Sequence, residues 1–201
     1  MKLLNSVKLE GIILCEPEFS HSYKDKKFYS TKMSIKRLSG TEDIIPLIIF
    51  DDMVDVVKEN VGKVFNIDGQ YHSFNDTNNG SRKLKLFVLV KEIYIKEELE
   101  NINQIVLDGF ICKQPNYRTT PSGKTITDVI LAVNRNNYKS DYIPIIFWNS
   151  NAKHASELNV GDEIQINGRI QSRKYNKVID NVTSVMTAYE VSVTSFKKIE
   201  E

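Results

Sequence analysis

The strongest constraint on this chain is that it repeats itself. Residues 5–17, NSVKLEGIILCEP, align with residues 103–115, NQIVLDGFICKQP, at an offset of 98. The same offset carries FYSTKMSIKR (28–37) onto ITDVILAVNR (126–135), and DIIPLIIF (43–50) onto DYIPIIFW (141–148). After one extra residue, NVGKVFNIDGQYHS (60–73) matches NVGDEIQINGRIQS (159–172). Gly, Pro, Arg and Val-Gly landmarks in one order at near-constant spacing mean two homologous units, each burying its own core. The expected boundaries are 1–97 and 102–201, with a short linker over 98–101 inside KEELEN.

Each unit reads as five strands and one short helix. Gly11 and Gly109 interrupt the first strands at the same place, as happens where a strand bends. Strands two and three form a hairpin through LSGTE or NNYKS. Helical spacing follows, with Val54, Val57 and Val61 in one copy and Ala152 and Ala155 in the other. Asp51 and Asp52, at this strand-to-helix junction, read as helix capping. Three strands, a helix and two strands, with a glycine in strand one, is the order of an OB barrel. The fold class is therefore all-β, two tandem OB-fold barrels. Ile164, Ile166, Gly168 and Ile170 share one strand face and pack with Val129, Leu131 and Val133. Burying about ten such side chains per copy, at roughly 1.5–3 kcal/mol each, suffices for two small cores.

A net charge of +1 means that any charge-driven site must come from local clustering. Cys15 and Cys112 cannot build a disulfide framework or a four-ligand zinc site, and read as reduced thiols in a cytoplasmic protein. No apolar run approaches a signal or membrane segment. His21, His72 and His154 lie in different elements without a catalytic motif around them, so neither catalysis nor a cofactor or metal is expected.

One stretch, SDYIPIIFW (140–148), is apolar on both faces. Strand alternation assigns Ile143, Ile145 and Phe147 to the core, and Tyr142, Pro144, Ile146 and Trp148 to the opposite side. The same outward parity on the fourth strand gives Gln165, Asn167, Arg169, Gln171, Arg173 and Tyr175. Hairpin tips add Arg135, Tyr138, Lys139 and Lys174, and the loop NYRTTPSGK adds Tyr117, Arg118 and Lys124. Between residues 118 and 177, nine Lys or Arg stand against five Asp or Glu. Rings interleaved with cations suit unpaired nucleic acid: each base stacked on an aromatic is worth about 1–3 kcal/mol, and cations neutralise phosphates. Copy one looks weaker, because Ile44 and Phe50 stand where copy two has Tyr142 and Trp148. Lys24, Lys26, Lys27, Tyr29, Lys32, Lys36 and Arg37 can still track a backbone there.

The run from NQIVLDGFICKQPNYRTTPSGK through DYIPIIFWNSNAKHASELNVGDEIQINGRIQSRKY resembles bacterial single-stranded DNA-binding proteins, in particular their tandem-OB version. The resemblance covers copy two and, more faintly, copy one, and the related primosomal replication protein N is also compatible. It implies sequence-independent binding and protection of single-stranded DNA in replication, recombination or repair. The matching stacking positions are Tyr138, Tyr142, Trp148 and Tyr175, with Arg173 and Lys174 beside the last. It also implies a homodimer presenting four OB folds, joined through the first strand. Family members commonly end in an acidic tip that recruits repair proteins. This sequence closes on SFKKIEE, so such recruitment is not expected. The alternative is a primosome-type or structural adaptor whose second apolar face is a protein interface.

Overall fold

The computed structural model describes residues 4–76, 83–135, 139–179 and 182–199. The first repeat forms β1 (Asn5–Ile13), β2 (Glu18–Tyr23), β3 (Lys26–Lys36), β4 (Glu42–Phe50), α1 (Val54–Lys58), β5 (Val64–Asp76) and β6 (Lys83–Lys96). The second forms β7 (Asn103–Ile111), β8 (Asn116–Thr119), β9 (Thr125–Asn134), β10 (Ser140–Trp148), α2 (Ser150–Ser156), β11 (Glu163–Ile179) and β12 (Val182–Lys198). Each barrel thus has one more strand than its sequence pattern predicts. Every residue of β2 and β8 is exposed, so neither carries the apolar alternation by which a strand is read. They exist because they extend the β3 and β9 ladders.

Closure of each barrel depends on its first strand bending between two partners. β1 runs beside β5, then its last two residues, Ile12 and Ile13, pair with Ser34 and Met33 of β3. β7 does the same with β11 and β9. Gly109 sits where the strands cross: a Cβ there would lie 2.6 Å from the Ala132 carbonyl oxygen, which only glycine avoids. Parallel pairs β4–β6 and β10–β12 complete the barrels. Val7, Leu9, Met33, Leu47, Phe65 and Val88 fill the first interior, and Leu107, Leu131, Ile143, Phe147, Ile164 and Ile170 the second.

The helices are shorter than their spacing suggests. Val57, Ala152 and Ala155 are buried, whereas Val61 lies beyond the end of α1 and is exposed. No side chain caps α1 or the 3-10 turn before it; Asp51 instead hydrogen-bonds the Tyr29 hydroxyl. Among the described residues, no helix is long and apolar enough to cross a membrane.

The two barrels are joined edge to edge. β1 pairs antiparallel with β7, Asn5 opposite Leu107 and Leu9 opposite Asn103, so one continuous sheet runs through the molecule. This corrects the expectation that a second chain docks on the first strand. β1 is bounded by β5 and β7, and β7 by β1 and β11, so those backbone edges are spent within the chain.

Two buried aspartates pin the joint from either side. Asp43 on β4 accepts from Arg37 (Nε to Oδ2, 2.7 Å) and from the Ser172 N–H of the other barrel (2.7 Å). Asp141, its repeat equivalent on β10, accepts from Arg135 and from the Ser73 N–H (2.5 Å), and pairs with His72 Nδ1 at 2.8 Å. Arg37 and Arg135 also donate to the Ser172 and Ser73 carbonyls across the joint. Such a carboxylate is tolerated inside only because donors surround it.

Candidate nucleic-acid interface

β10 resolves the doubly apolar stretch. Ile143, Ile145 and Phe147 are fully or almost fully buried in the core, while Tyr142 is 48% exposed and Trp148 half-buried on the other side. Ile146 shares the outward parity of Trp148 but is itself buried, beside Ser192 of β12. The Trp148 indole N–H donates to Ser192 Oγ at 3.1 Å, which fixes the ring, and Lys124 Nζ lies 6.0 Å from its centroid.

That ring opens onto a groove of about 820 Å³ between the barrels. Arg173, Lys174 and Tyr189 line it from barrel two; Lys32, Arg37 and Ile44 line it from barrel one. Tyr175 lies further along β11 with the Arg173 guanidinium 5.8 Å over its ring. Sequence parity missed Tyr189 and Glu190 because they sit on the last strand, whose outward face carries no aromatic-cation run. Burial pushes the Glu190 carboxyl above its ordinary range, against the opposing pull of Arg173. The Tyr71 hydroxyl is buried and, among the described residues, has no hydrogen-bond partner. Burial raises its pKa far above that of an exposed phenol.

The expected cations do not share one site. Arg118 is bound to Asp128 through two contacts (2.6 and 3.3 Å), which raises its pKa, and Arg37 and Arg135 are committed to Asp43 and Asp141. Arg169 and Lys36 line a separate cleft of about 290 Å³ beside Asn101, whose Oδ1 accepts from the Lys36 N–H. Lys124, Arg173 and Lys174 converge on the Trp148 side, and Lys139 is exposed just before β10. Tyr138 lies outside the described residues.

Barrel one has its own outward rings. Phe50 is half-buried at the end of β4, with Lys26 Nζ 5.7 Å and Lys91 Nζ 5.8 Å from its centroid. Phe28 lies opposite it on β3, and His21 opposite Phe28 on β2. Farther along, Phe74 and Phe87 meet edge to face under Lys85. His21, Phe28 and Phe87 carried no sequence signal, because only the strand register brings them beside Phe50 and Phe74.

Two OB barrels fused through their first strands, with a ring-and-cation groove at the joint, define the class: a tandem-OB protein similar to single-stranded DNA-binding proteins. Residues 102–199, essentially the whole second barrel, match the single-strand binding protein family. The chain is 36% identical to single-stranded DNA-binding protein 1 of Staphylococcus aureus over 81 residues, 37% of this chain and 48% of that protein. It is 31% identical to single-stranded DNA-binding protein 2 of Listeria monocytogenes over 106 residues, 49% of this chain and 64% of that one. The chain spans about half the length of the curated relatives it matches. The fold of the whole chain matches the crystal structure of the single-stranded DNA binding protein from Thermus aquaticus. The TM-score is 0.78 at 19% identity, covering 100% of this chain and 95% of that one.

Proposed function

We propose that this protein binds single-stranded DNA without sequence preference, stacking bases on outward aromatic rings and holding phosphates with Lys and Arg. The observation that carries the reading is the Trp148 ring, anchored through Ser192, with Lys124 over its face, and open to a groove lined by Arg173, Lys174 and Lys32. Unpaired bases alone offer free π-faces to such a ring, and clustered cations neutralise a backbone. Tyr142 and Tyr175 extend the platform. Such a binder serves replication, recombination or repair by covering exposed strands.

The proposed domain limits are 1–97 and 102–201, with 98–101 as the link. Two such chains would present four OB folds, and the fusion of β1 to β7 requires their contact to use a surface other than the first strand.

Titrating oligo(dT) against Trp148 fluorescence tests the reading. The expected result is quenching at micromolar DNA or below, weakening steeply from low to high salt, with little response to duplex. Unchanged emission, or equal quenching by duplex, overturns it.

A further inference from the structure

The groove beside Trp148 does not end on barrel two. Thr187 and Tyr189 on β12 line it, and the same residues line a second cleft, of about 510 Å³, over barrel one. That cleft passes Pro46 and Ile48 on the outward face of β4 and reaches Ser30 and Ser20, neighbours in the strands that carry Phe28 and His21. Phe74 and Phe87 border its other side.

At its far end three rings lie in register across β2, β3 and β4. His21 and Phe28 are 4.7 Å apart between centroids and only 4° from parallel; Phe28 and Phe50 follow at 5.1 Å. Two ammonium groups, Lys26 and Lys91, stand over the last ring. Among the described residues neither is engaged in an ion pair, unlike Arg37, Arg118 and Arg135. Among the described residues, barrel two has no such row. The position of Phe28 holds Ile126, which lies opposite Trp148, and Arg118 stands opposite Ile126.

We infer that this row is a second subsite for the same strand: an unpaired segment leaving Trp148 crosses under Thr187 and Tyr189 and stacks on the Phe50–Phe28–His21 row. Its phosphates draw Lys26 and Lys91 off the ring face. The inference rests on the proposed single-strand binding and adds where the strand goes next. Stacking with neutralisation is sequence-tolerant, so the occupant is polypyrimidine or mixed single-stranded nucleic acid.

The test compares the whole chain with K26E/K91E, using two lengths of oligo(dT) read by Trp148 quenching. One oligonucleotide is about 8 nucleotides, within the site size of one OB fold; the other is about 30, long enough for both. The short one is expected to bind wild type and variant alike. The long one is expected to bind the variant about tenfold more weakly at low salt, with the salt slope reduced by about 1.4, at about 0.7 per lost phosphate contact. His21→Ala, at an exposed position, is expected to weaken only the long oligonucleotide as well. Both lysines are exposed, so the thermal transition should not move; K26Q/K91Q replaces the double reversal if it does. Long-oligonucleotide binding that is indistinguishable among all these proteins overturns the second subsite while leaving Trp148 binding intact. An altered sedimenting mass in K26E/K91E also overturns it, because the surface is then a contact between copies. Wild-type Trp148 unmoved by either length overturns the underlying reading instead.

Discussion

The two barrels descend from one pattern and differ in what they have kept. Asp43 with Arg37 and Asp141 with Arg135 occupy equivalent positions and do the same work, tying each barrel to the other's serine backbone. The ring at the end of the long outward strand is also retained, as Phe50 in one and Trp148 in the other, each under an equivalent lysine, Lys26 or Lys124. Apart from that lysine, the surroundings of the ring have diverged. Barrel two gathers Arg173, Lys174 and Tyr175; barrel one gathers His21, Phe28 and Lys91. The joint constrains both copies because burying one of its carboxylates without donors is prohibitive, whereas an outward ring tolerates new neighbours.

The largest effect should come from the joint. Asp141→Ala strands Arg135 and the Ser73 N–H without their acceptor, and should cost about 3–5 kcal/mol of stability in a denaturant titration. Asp43→Ala should cost less, because the additional side-chain donor to Asp141 is His72 Nδ1 at 2.8 Å, whereas that to Asp43 is the Ser172 hydroxyl at a longer 3.3 Å. Equal losses would erase that asymmetry. The same site sets an acid limit. Burial alone would raise the Asp141 pKa, but the hydrogen bonds from His72, Arg135 and Ser73 outweigh it and hold it below its ordinary 3.8. Its contribution is therefore present above pH about 3.8 and disappears as pH falls through the lower folded-state value. Asp141→Asn should be less stable at neutral pH and lose less on acidification below 3.8.

Binding separates the barrels next. Trp148→Ala should weaken oligo(dT) by about 1–3 kcal/mol, monitored by anisotropy of a labelled oligonucleotide. Phe50→Ala should weaken short oligonucleotides much less. If the two cost the same on a short strand, barrel two holds no primary site. Lys124→Ala should mainly lower the salt slope, by about 0.7. The smallest effect belongs to Arg118→Ala: its ion pair with Asp128 is largely exposed, worth about 0–1 kcal/mol, and its guanidinium is already engaged.

Much of this was legible in the chain itself. The 98-residue repeat implies two barrels, and the parity of SDYIPIIFW separates Ile143, Ile145 and Phe147 from Tyr142 and Trp148. The strands β2 and β8 were not legible, because a fully exposed strand has no apolar rhythm. Nor was the fate of the arginines. A count of cations between 118 and 177 includes Arg118 and Arg135, and only three-dimensional placement shows Asp128 and Asp141 holding them. Phe28 falls in the same blind spot: its link to Phe50 depends on the β3–β4 register, set by the turn between them.

The central claim is that single-stranded DNA lies on the outward face that carries Trp148 and Phe50, bridging the joint. Photocrosslinking of a long oligonucleotide carrying iodouracil at successive positions, with the attached peptides mapped, reads this directly. Crosslinks in the peptides containing Trp148 and Phe50 of the same chain are the predicted result. Crosslinks confined to the α1 and α2 sides, or none at either ring, would contradict it.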